Sequence, residues 1–124
     1  MSAKILIVDD EKDLSASIRD YITDESSHKV FLAYSGEEGL EELEKVKPDL
    51  CIVDMRLPGM NGNDFIINAN MRLSQCRFII HTGSMDYQLP DQLGQIGITR
   101  DFLLSKPVPD MAIFLEKIRQ LMEL

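Results

Sequence analysis

Five polar side chains stand where short apolar runs of this sequence end. Asp9 ends the run KILIVD and Asp10 follows it, Asp54 ends LCIVD, Thr82 ends RFIIHT, and Lys106 follows DFLLS. Carboxylates that meet at one place repel one another, and a hard divalent cation with oxygen ligands relieves that repulsion. Mg²⁺ suits such a site because it keeps several of its own waters and accepts phosphate oxygens as further ligands. Since no His or Cys accompanies the acids, the pattern disfavours zinc.

The charges of these residues predict a site for an anion such as a phosphoryl group. Lys106 offers a point charge to one phosphate oxygen, and the Thr82 hydroxyl can donate to another. One Mg²⁺ and one Lys balance the carboxylates and leave the site close to neutral. Asp54 is the favoured nucleophile, because it ends the third apolar run and a loop with room for a phosphodonor follows it. Its attack on phosphorus would give an acyl phosphate, with catalysis mainly by positioning and charge neutralisation.

The elements that must position these residues alternate along the chain. Short apolar runs predict buried strands at Lys4–Asp9, Lys29–Tyr34, Leu50–Asp54, Arg77–Thr82 and Asp101–Ser105. Helical spacing predicts a helix carrying Leu14, Ile18 and Ile22, then helices over Gly36–Val46, over about residues 63–73, between Pro90 and Gly97, and after Pro109. Right-handed β–α units give a doubly wound parallel sheet, whose ligands sit at the carboxyl ends of the strands. Taken singly, an Asp at the end of a strand is most simply explained as a helix N-cap. Because these polar residues follow four different strands and share one edge of the sheet, a common functional site is the better explanation.

Composition fits one globular domain over residues 1–124, with no output domain in this chain. Apolar residues make up 44% and charged residues 27%, close to globular averages. The net charge of −8 disfavours direct binding to nucleic acid, which depends on Lys and Arg neutralising phosphates. No apolar run approaches the roughly 20 residues of a membrane-spanning helix, and the N-terminal run is too short for a signal peptide. We therefore expect a cytoplasmic protein with no membrane partner.

Five motifs follow one another along essentially the whole chain. They are ILIVDDE at 5–11, SGEEGLEEL at 35–43, PDLCIVDMRLPGMNG at 48–62, HTG at 81–83 and SKP at 105–107. Each is weak alone, but their order and spacing are specific. Together they resemble the receiver domain of two-component response regulators, the chemotaxis-regulator type. The resemblance implies a flavodoxin-like fold with five helices and a five-stranded parallel sheet in the order 2-1-3-4-5.

The resemblance also implies how the acidic residues would act. Asp54 would be the phosphoacceptor and a metal ligand. Asp10 would bind Mg²⁺ directly, with Mn²⁺ able to substitute, and Asp9 would bind it largely through water. The backbone carbonyl of Arg56 would supply another ligand.

The remaining site residues would handle the phosphoryl group. Thr82 would contact it and report its presence, and Lys106 would bridge to it. Gly83 matches the small residue that the family places beside this site, and the bond from Lys106 to Pro107 is expected to be cis. The domain would catalyse its own phosphorylation and dephosphorylation without being an enzyme in the usual sense.

One position departs from the family pattern. The family usually places a switch Tyr or Phe three residues before the Lys, where this chain has Leu103, and Phe102 lies four before. Because side chains alternate along a strand, Phe102 would point the other way unless a bulge corrects it. The stretch from Gly97 to Lys106 looks about two residues longer than usual. Either a bulge turns Phe102 toward Thr82, or the signal runs through the loop at 83–89, and we expect the loop route because an unbulged strand is simpler.

The implied partners are a phosphodonor and an output. The donor would be a sensor histidine kinase or a histidine phosphotransfer protein, and the receiver would control a downstream domain or protein through the surface formed by its fourth helix, fifth strand and fifth helix. A phosphorylation-dependent homodimer is a further hypothesis, because the last helix carries a wide apolar arc: Met111, Phe114, Leu115, Ile118, Leu121 and Met122.

Three other functions compete with this interpretation. A dehalogenase-type aspartate phosphatase needs a second Asp two residues after the first, where this chain has Arg56. A nucleotide- or flavin-binding module needs a GxGxxG turn where Asp9, Asp10 and Glu11 stand. The third alternative is a receiver-like docking module that acts without phosphorylation.

Overall fold

Five parallel strands form one sheet in the computed structural model, which describes residues 2–84 and 86–123. The strands are β1 (Lys4–Val8), β2 (Lys29–Ala33), β3 (Leu50–Val53), β4 (Arg77–Thr82) and β5 (Leu103–Ser105). Their order in the sheet is 2-1-3-4-5, which confirms the expected fold. Because the order reverses between β1 and β3, a crevice opens at the carboxyl ends of these two strands.

In the part of the chain described, four helices connect the strands and a fifth follows β5. They are α1 (Lys12–Glu25), α2 (Gly36–Val46), α3 (Gly62–Arg72), α4 (Asp91–Gln95) and α5 (Ala112–Met122). Two helix starts have side-chain caps, since the Ser35 hydroxyl accepts from Glu38 N–H and the Asn61 amide oxygen accepts from Asp64 N–H. Among the described residues, no helix is long and apolar enough to cross a bilayer.

Two apolar cores lie on opposite faces of the sheet. Because side chains alternate along a strand, Ile5 and Ile7 join the core under α1 and α5, whereas Leu6 and Val8 join the core under α2, α3 and α4. We call these the α1–α5 core and the α2–α3–α4 core. Burial on both faces explains why the strands read as continuous apolar runs.

The fifth strand is shorter than the sequence predicted. Its predicted first residues instead form a 3₁₀ turn at Arg100–Phe102, and the strand begins at Leu103. Leu103 pairs with Ile80 and Ser105 pairs with Thr82, with no residue inserted between them. The 3₁₀ turn therefore absorbs the extra chain length that could have formed a bulge.

This register decides which side of the sheet each switch candidate faces. Phe102 is buried in the α1–α5 core, with the Lys117 ammonium 5.5 Å from its ring centre. Leu103 packs against the α2–α3–α4 core, the side to which Ile80 belongs. The bulge that would have turned Phe102 toward Thr82 is not present. Phe102 is therefore a residue of the α1–α5 core, and the prediction of it as a switch candidate is corrected.

More of the apolar arc of α5 packs into the core than the dimer hypothesis assumed. Its central residues Phe114, Ile118 and Leu121 are buried in the α1–α5 core. The flanking residues Met111, Leu115 and Met122 are partly buried against the same core. The width of the arc therefore reflects packing and does not by itself point to a partner.

Candidate functional site

The two central strands bring their terminal acids to one place. β1 and β3 pair in parallel with Val8 opposite Val53, so Asp9 and Asp54 leave adjacent strands at the same level. The Asp54 N–H donates to Val8 O at 3.0 Å, and the Asp9 N–H donates to Ala33 O at 3.0 Å. Each acid therefore lies one residue beyond its strand, with its backbone held by the neighbouring strand.

Asp9, Asp10 and Asp54 form an acidic cluster. One carboxylate oxygen from each lies within 4.8 Å of the others, with Asp9 and Asp54 buried and Asp10 exposed. Backbone donors orient the two buried acids: Glu11 N–H donates to Asp9 Oδ1 at 2.9 Å, and Arg56 N–H donates to Asp54 Oδ1 at 3.2 Å. A cluster of oxygen donors with one exposed member fits a hard, partly hydrated divalent cation.

Lys106 places its ammonium among three carboxylates. Its Nζ lies 2.7 Å from Asp9 Oδ2, 3.1 Å from Asp54 Oδ2 and 3.1 Å from Glu11 Oε2. These contacts match the three donors that an ammonium has. The Lys106 N–H also donates to Thr82 O at 3.0 Å, which ties the start of the loop after β5 to β4.

Burial and charge act in opposite directions on these groups. Burial disfavours the charge on Lys106, but hydrogen bonds to Asp9 and Asp54 outweigh it and raise the pKa of the ammonium above its ordinary value. Burial also raises the pKa of Asp9, despite hydrogen bonds from Lys106 and the Glu11 N–H. Lys106 is thus a permanent cation at neutral pH.

Thr82 and Gly83 line the side of the site next to Lys106. Thr82 is buried at the end of β4, and its Oγ1 accepts from Ser84 N–H at 3.3 Å. A Cβ at Gly83 would lie 3.8 Å from Lys106 Cβ, an ordinary contact distance. The Lys106–Pro107 peptide bond is cis, as the resemblance implied.

The sequence analysis assigned no role at the site to three residues that lie near it. Glu11 directly follows the acidic pair, and its contact with Lys106 spans 95 positions of sequence. Gly62 opens α3 so close to the phosphoacceptor candidate that a Cβ there would lie 2.3 Å from the Asp54 carbonyl oxygen. The Asn-Gly pair at 61–62 was the available signal for this close approach.

His81 is the third of these residues. Its side chain lies on the face of β4 opposite Thr82, toward the α1–α5 core. Its ring packs edge-on against Phe114 with ring centres 5.0 Å apart. The residue is buried, and neither ring nitrogen has a hydrogen-bond partner among the described residues. Burial, followed by the nearby Lys106 charge, lowers the pKa of His81 to about 4, so the ring is neutral at physiological pH.

Comparisons with known proteins agree with this geometry. The family model described as response regulator receiver domain matches residues 5–119. The regulatory protein VanR from Enterococcus faecium is 35% identical over 107 residues, which cover 86% of this chain and 45% of that protein. Sporulation initiation phosphotransferase F from Bacillus subtilis (strain 168) is 28% identical over 102 residues, which cover 82% of each chain.

Solved structures give the same result. A CheY-like response regulator receiver domain protein from Methanospirillum hungatei JF-1 superimposes with a TM-score of 0.85 at 28% identity, covering 99% of this chain and 96% of that one. This chain spans less than half the length of VanR, so the match concerns the receiver portion of such proteins. The chain belongs to the family of response regulator receiver domains, which act in two-component phosphorelay signalling.

Proposed function

We propose that Asp54 accepts a phosphoryl group from the phosphohistidine of a sensor histidine kinase or of a histidine phosphotransfer protein. The observation that carries this proposal is the environment of Asp54. Its carboxylate is buried beside Asp9, with the Lys106 ammonium 3.1 Å from Oδ2 and a backbone N–H on Oδ1. One oxygen is thus held in place while the other faces a cation suited to a phosphoryl oxygen.

The proposed reaction transfers one phosphoryl group between two nucleophiles. A carboxylate oxygen of Asp54 forms a bond to phosphorus as the bond from phosphorus to the donor nitrogen breaks, and the electron pair leaves with the imidazole. Lys106 then contacts a phosphoryl oxygen, and the Thr82 hydroxyl donates to another. Apart from forming the bond at Asp54, the protein would act mainly by positioning the reactants and neutralising charge, as is usual in phosphoryl transfer.

The acidic cluster fits Mg²⁺, with Mn²⁺ as a substitute, because its donors are oxygens and one is exposed. Asp10 and Asp54 would bind the ion directly, Asp9 largely through water, and the Arg56 backbone carbonyl would complete the protein ligands. When bound, the cation would offset the charge of the carboxylates and of the incoming phosphoryl oxygens. The same residues would serve both phosphorylation and hydrolysis, so the domain would catalyse both reactions of its own phosphate.

The output is proposed to be read from the α4-β5-α5 surface by a downstream domain or protein. Two features of this surface support the proposal: Leu103 lies on the Thr82 side of the sheet, and α4 is only five residues long. A homodimer that forms on phosphorylation through the same surface is a finer proposal. Light scattering of the beryllofluoride complex at high concentration tests it, and a complex that stays monomeric would defeat it.

Incubation with a small acyl phosphate and Mg²⁺, followed by intact mass, tests the proposed function. The chain should gain one phosphoryl group, and Asp54→Asn should gain none. If the unsubstituted chain remains unmodified with several donors, the alternative of a docking module that acts without phosphorylation takes its place.

A further inference from the structure

We propose that Tyr87 carries the phosphorylation signal from Thr82 to the face formed by α4 and β5. The inference rests on the proposed phosphorylation of Asp54 and identifies the residue that responds to it. Leu103, which stands where the family usually has an aromatic ring, has no polar tip to distinguish two positions. Tyr87 is an aromatic residue with such a tip, and it enters the same region from the connection between β4 and α4.

The Tyr87 side chain is held at both ends. Its hydroxyl donates to Asn63 Oδ1 at 2.8 Å, and Asn63 is the second residue of α3. Its ring packs against the α2–α3–α4 core. Together with Leu89, Arg100 and Leu103 it lines a pocket of about 280 Å³ between the loop and β5. Burial raises the pKa of the phenol, so the hydroxyl remains a donor at neutral pH.

Two hydrogen bonds connect Tyr87 with Thr82, one to the Thr82 hydroxyl and one between backbone groups. The Ser84 N–H donates to Thr82 Oγ1 at 3.3 Å, and the Tyr87 N–H donates to Ser84 O at 3.3 Å. Both distances are slightly longer than the usual range of about 2.7–3.2 Å for N–H···O bonds. The path from Thr82 to Tyr87 therefore consists of two consecutive hydrogen bonds.

Phosphorylation would act on the first of these two bonds. We infer that the Thr82 side chain rotates about its Cα–Cβ bond to donate to a phosphoryl oxygen, and that this rotation moves Oγ1 away from the Ser84 N–H. Ser84, whose carbonyl oxygen accepts from the Tyr87 N–H, then loses its bond to Thr82. Tyr87 is free to leave Asn63, which uncovers Leu103 and reshapes the pocket that a partner would contact. The signal needs no aromatic residue on β5.

Fluorine NMR of the whole chain labelled with fluorotyrosine tests this proposal. The chain has three tyrosines, Tyr21, Tyr34 and Tyr87, so a Tyr→Phe change at each assigns its resonance. Beryllofluoride with Mg²⁺ serves as the stand-in for a phosphoryl group, and its bound form has fluorine resonances of its own. The Tyr87 resonance should shift when those resonances appear, while that of Tyr21 on α1 should not. In Asp54→Asn no shift should occur.

The outcomes separate this inference from the proposed function. If no bound beryllofluoride appears, the proposed phosphorylation site is at fault. If it appears and the Tyr87 resonance does not move, the role of Tyr87 is wrong. A second variant tests the resting contact: Asn63→Ala should move the Tyr87 resonance toward its beryllofluoride-bound position without any ligand. The matched change Asn70→Ala, two turns along α3, should leave it in place, and an unmoved resonance in Asn63→Ala would also overturn the proposal.

Discussion

The Lys106 ammonium lies 3.1 Å from the Asp54 carboxylate, although 52 positions of sequence separate the two residues. In this resting arrangement Lys106 already stands where a phosphoryl oxygen on Asp54 would need a positive charge. The proposed phosphoacceptor and its counter-charge are thus arranged before any donor arrives, which is how positioned charges act in phosphoryl transfer.

Lys106→Met should slow phosphorylation of Asp54 by a small acyl phosphate by about 10²-fold, the typical cost of removing one positioned donor. The substitution keeps the length of the side chain but removes the charge. The initial rate by intact mass measures this. Lys45→Met, on the exposed side of α2, is the matched control and should change nothing. A rate within twofold of the unsubstituted chain, roughly 0.4 kcal/mol, would show that Lys106 has no part in the reaction.

Asp10→Ala should weaken Mg²⁺ binding about tenfold or more, because it deletes one of the two carboxylates that we propose bind the ion directly. Calorimetric titration of the unphosphorylated chain measures the affinity. Asp13→Ala removes the same charge from the first turn of α1 and serves as the control. Equal affinities in the two variants would mean that Asp10 acts only through its charge.

Gly62→Ala should destabilise the fold by about 1–3 kcal/mol, the usual cost of overpacking. The added Cβ would lie 2.3 Å from the Asp54 carbonyl oxygen and 2.7 Å from Met55 Cα, both of them backbone atoms that cannot move aside alone. Urea unfolding measures the change. Gly94→Ala is the control, because a Cβ there meets nothing within 4 Å, and it should be neutral or stabilising. Equal stabilities of the two variants would refute the packing argument.

Stability should fall in mild acid because of His81. Its folded-state pKa of about 4 lies below the value of about 6.5 in an unfolded chain. Between these values the unfolded state binds a proton that the folded state does not, so the free energy of unfolding decreases as pH falls through this window. The full contribution is about 3 kcal/mol, present above the upper value and lost below the lower one.

The variant His81→Leu isolates this contribution, because it removes the titrating ring and both unpartnered nitrogens. Its free energy of unfolding should fall less steeply over the same pH window than that of the unsubstituted chain. Urea unfolding at a series of pH values gives both curves. Parallel curves would show that another group causes the acid dependence.

The sequence predicted the elements that local signals specify. The bounds of α2 and β4 were correct, since Ser35 caps the former and a continuous apolar run defines the latter. The start of β5 was wrong because the apolar run Phe102-Leu103-Leu104 continues without a break from the 3₁₀ turn at Arg100–Phe102 into the strand. Only the pairing of Leu103 with Ile80 distinguishes the two, and that contact is non-local.

The difference between local signals and non-local contacts also decides which site residues could be predicted. Asp9, Asp54, Thr82 and Lys106 were predictable because parallel strands bring their carboxyl ends to one edge. Glu11 was not, because its partner Lys106 is remote in sequence and nothing local marks the pair. The Asn-Gly pair at 61–62 could have indicated a tight start of α3, but the distance of 2.3 Å from a Cβ at Gly62 to the Asp54 carbonyl oxygen depends on how α3 packs.

The central claim, that Asp54 is the phosphoacceptor, is tested most directly by locating the modification. Borohydride reduces an aspartyl phosphate to homoserine, which marks the modified residue permanently for peptide mass spectrometry. After incubation with an acyl phosphate and Mg²⁺, we expect homoserine at position 54 alone and none in Asp54→Asn. A mark at Asp9 or Asp10 in the unsubstituted chain, with Asp54 unmodified, would contradict the claim.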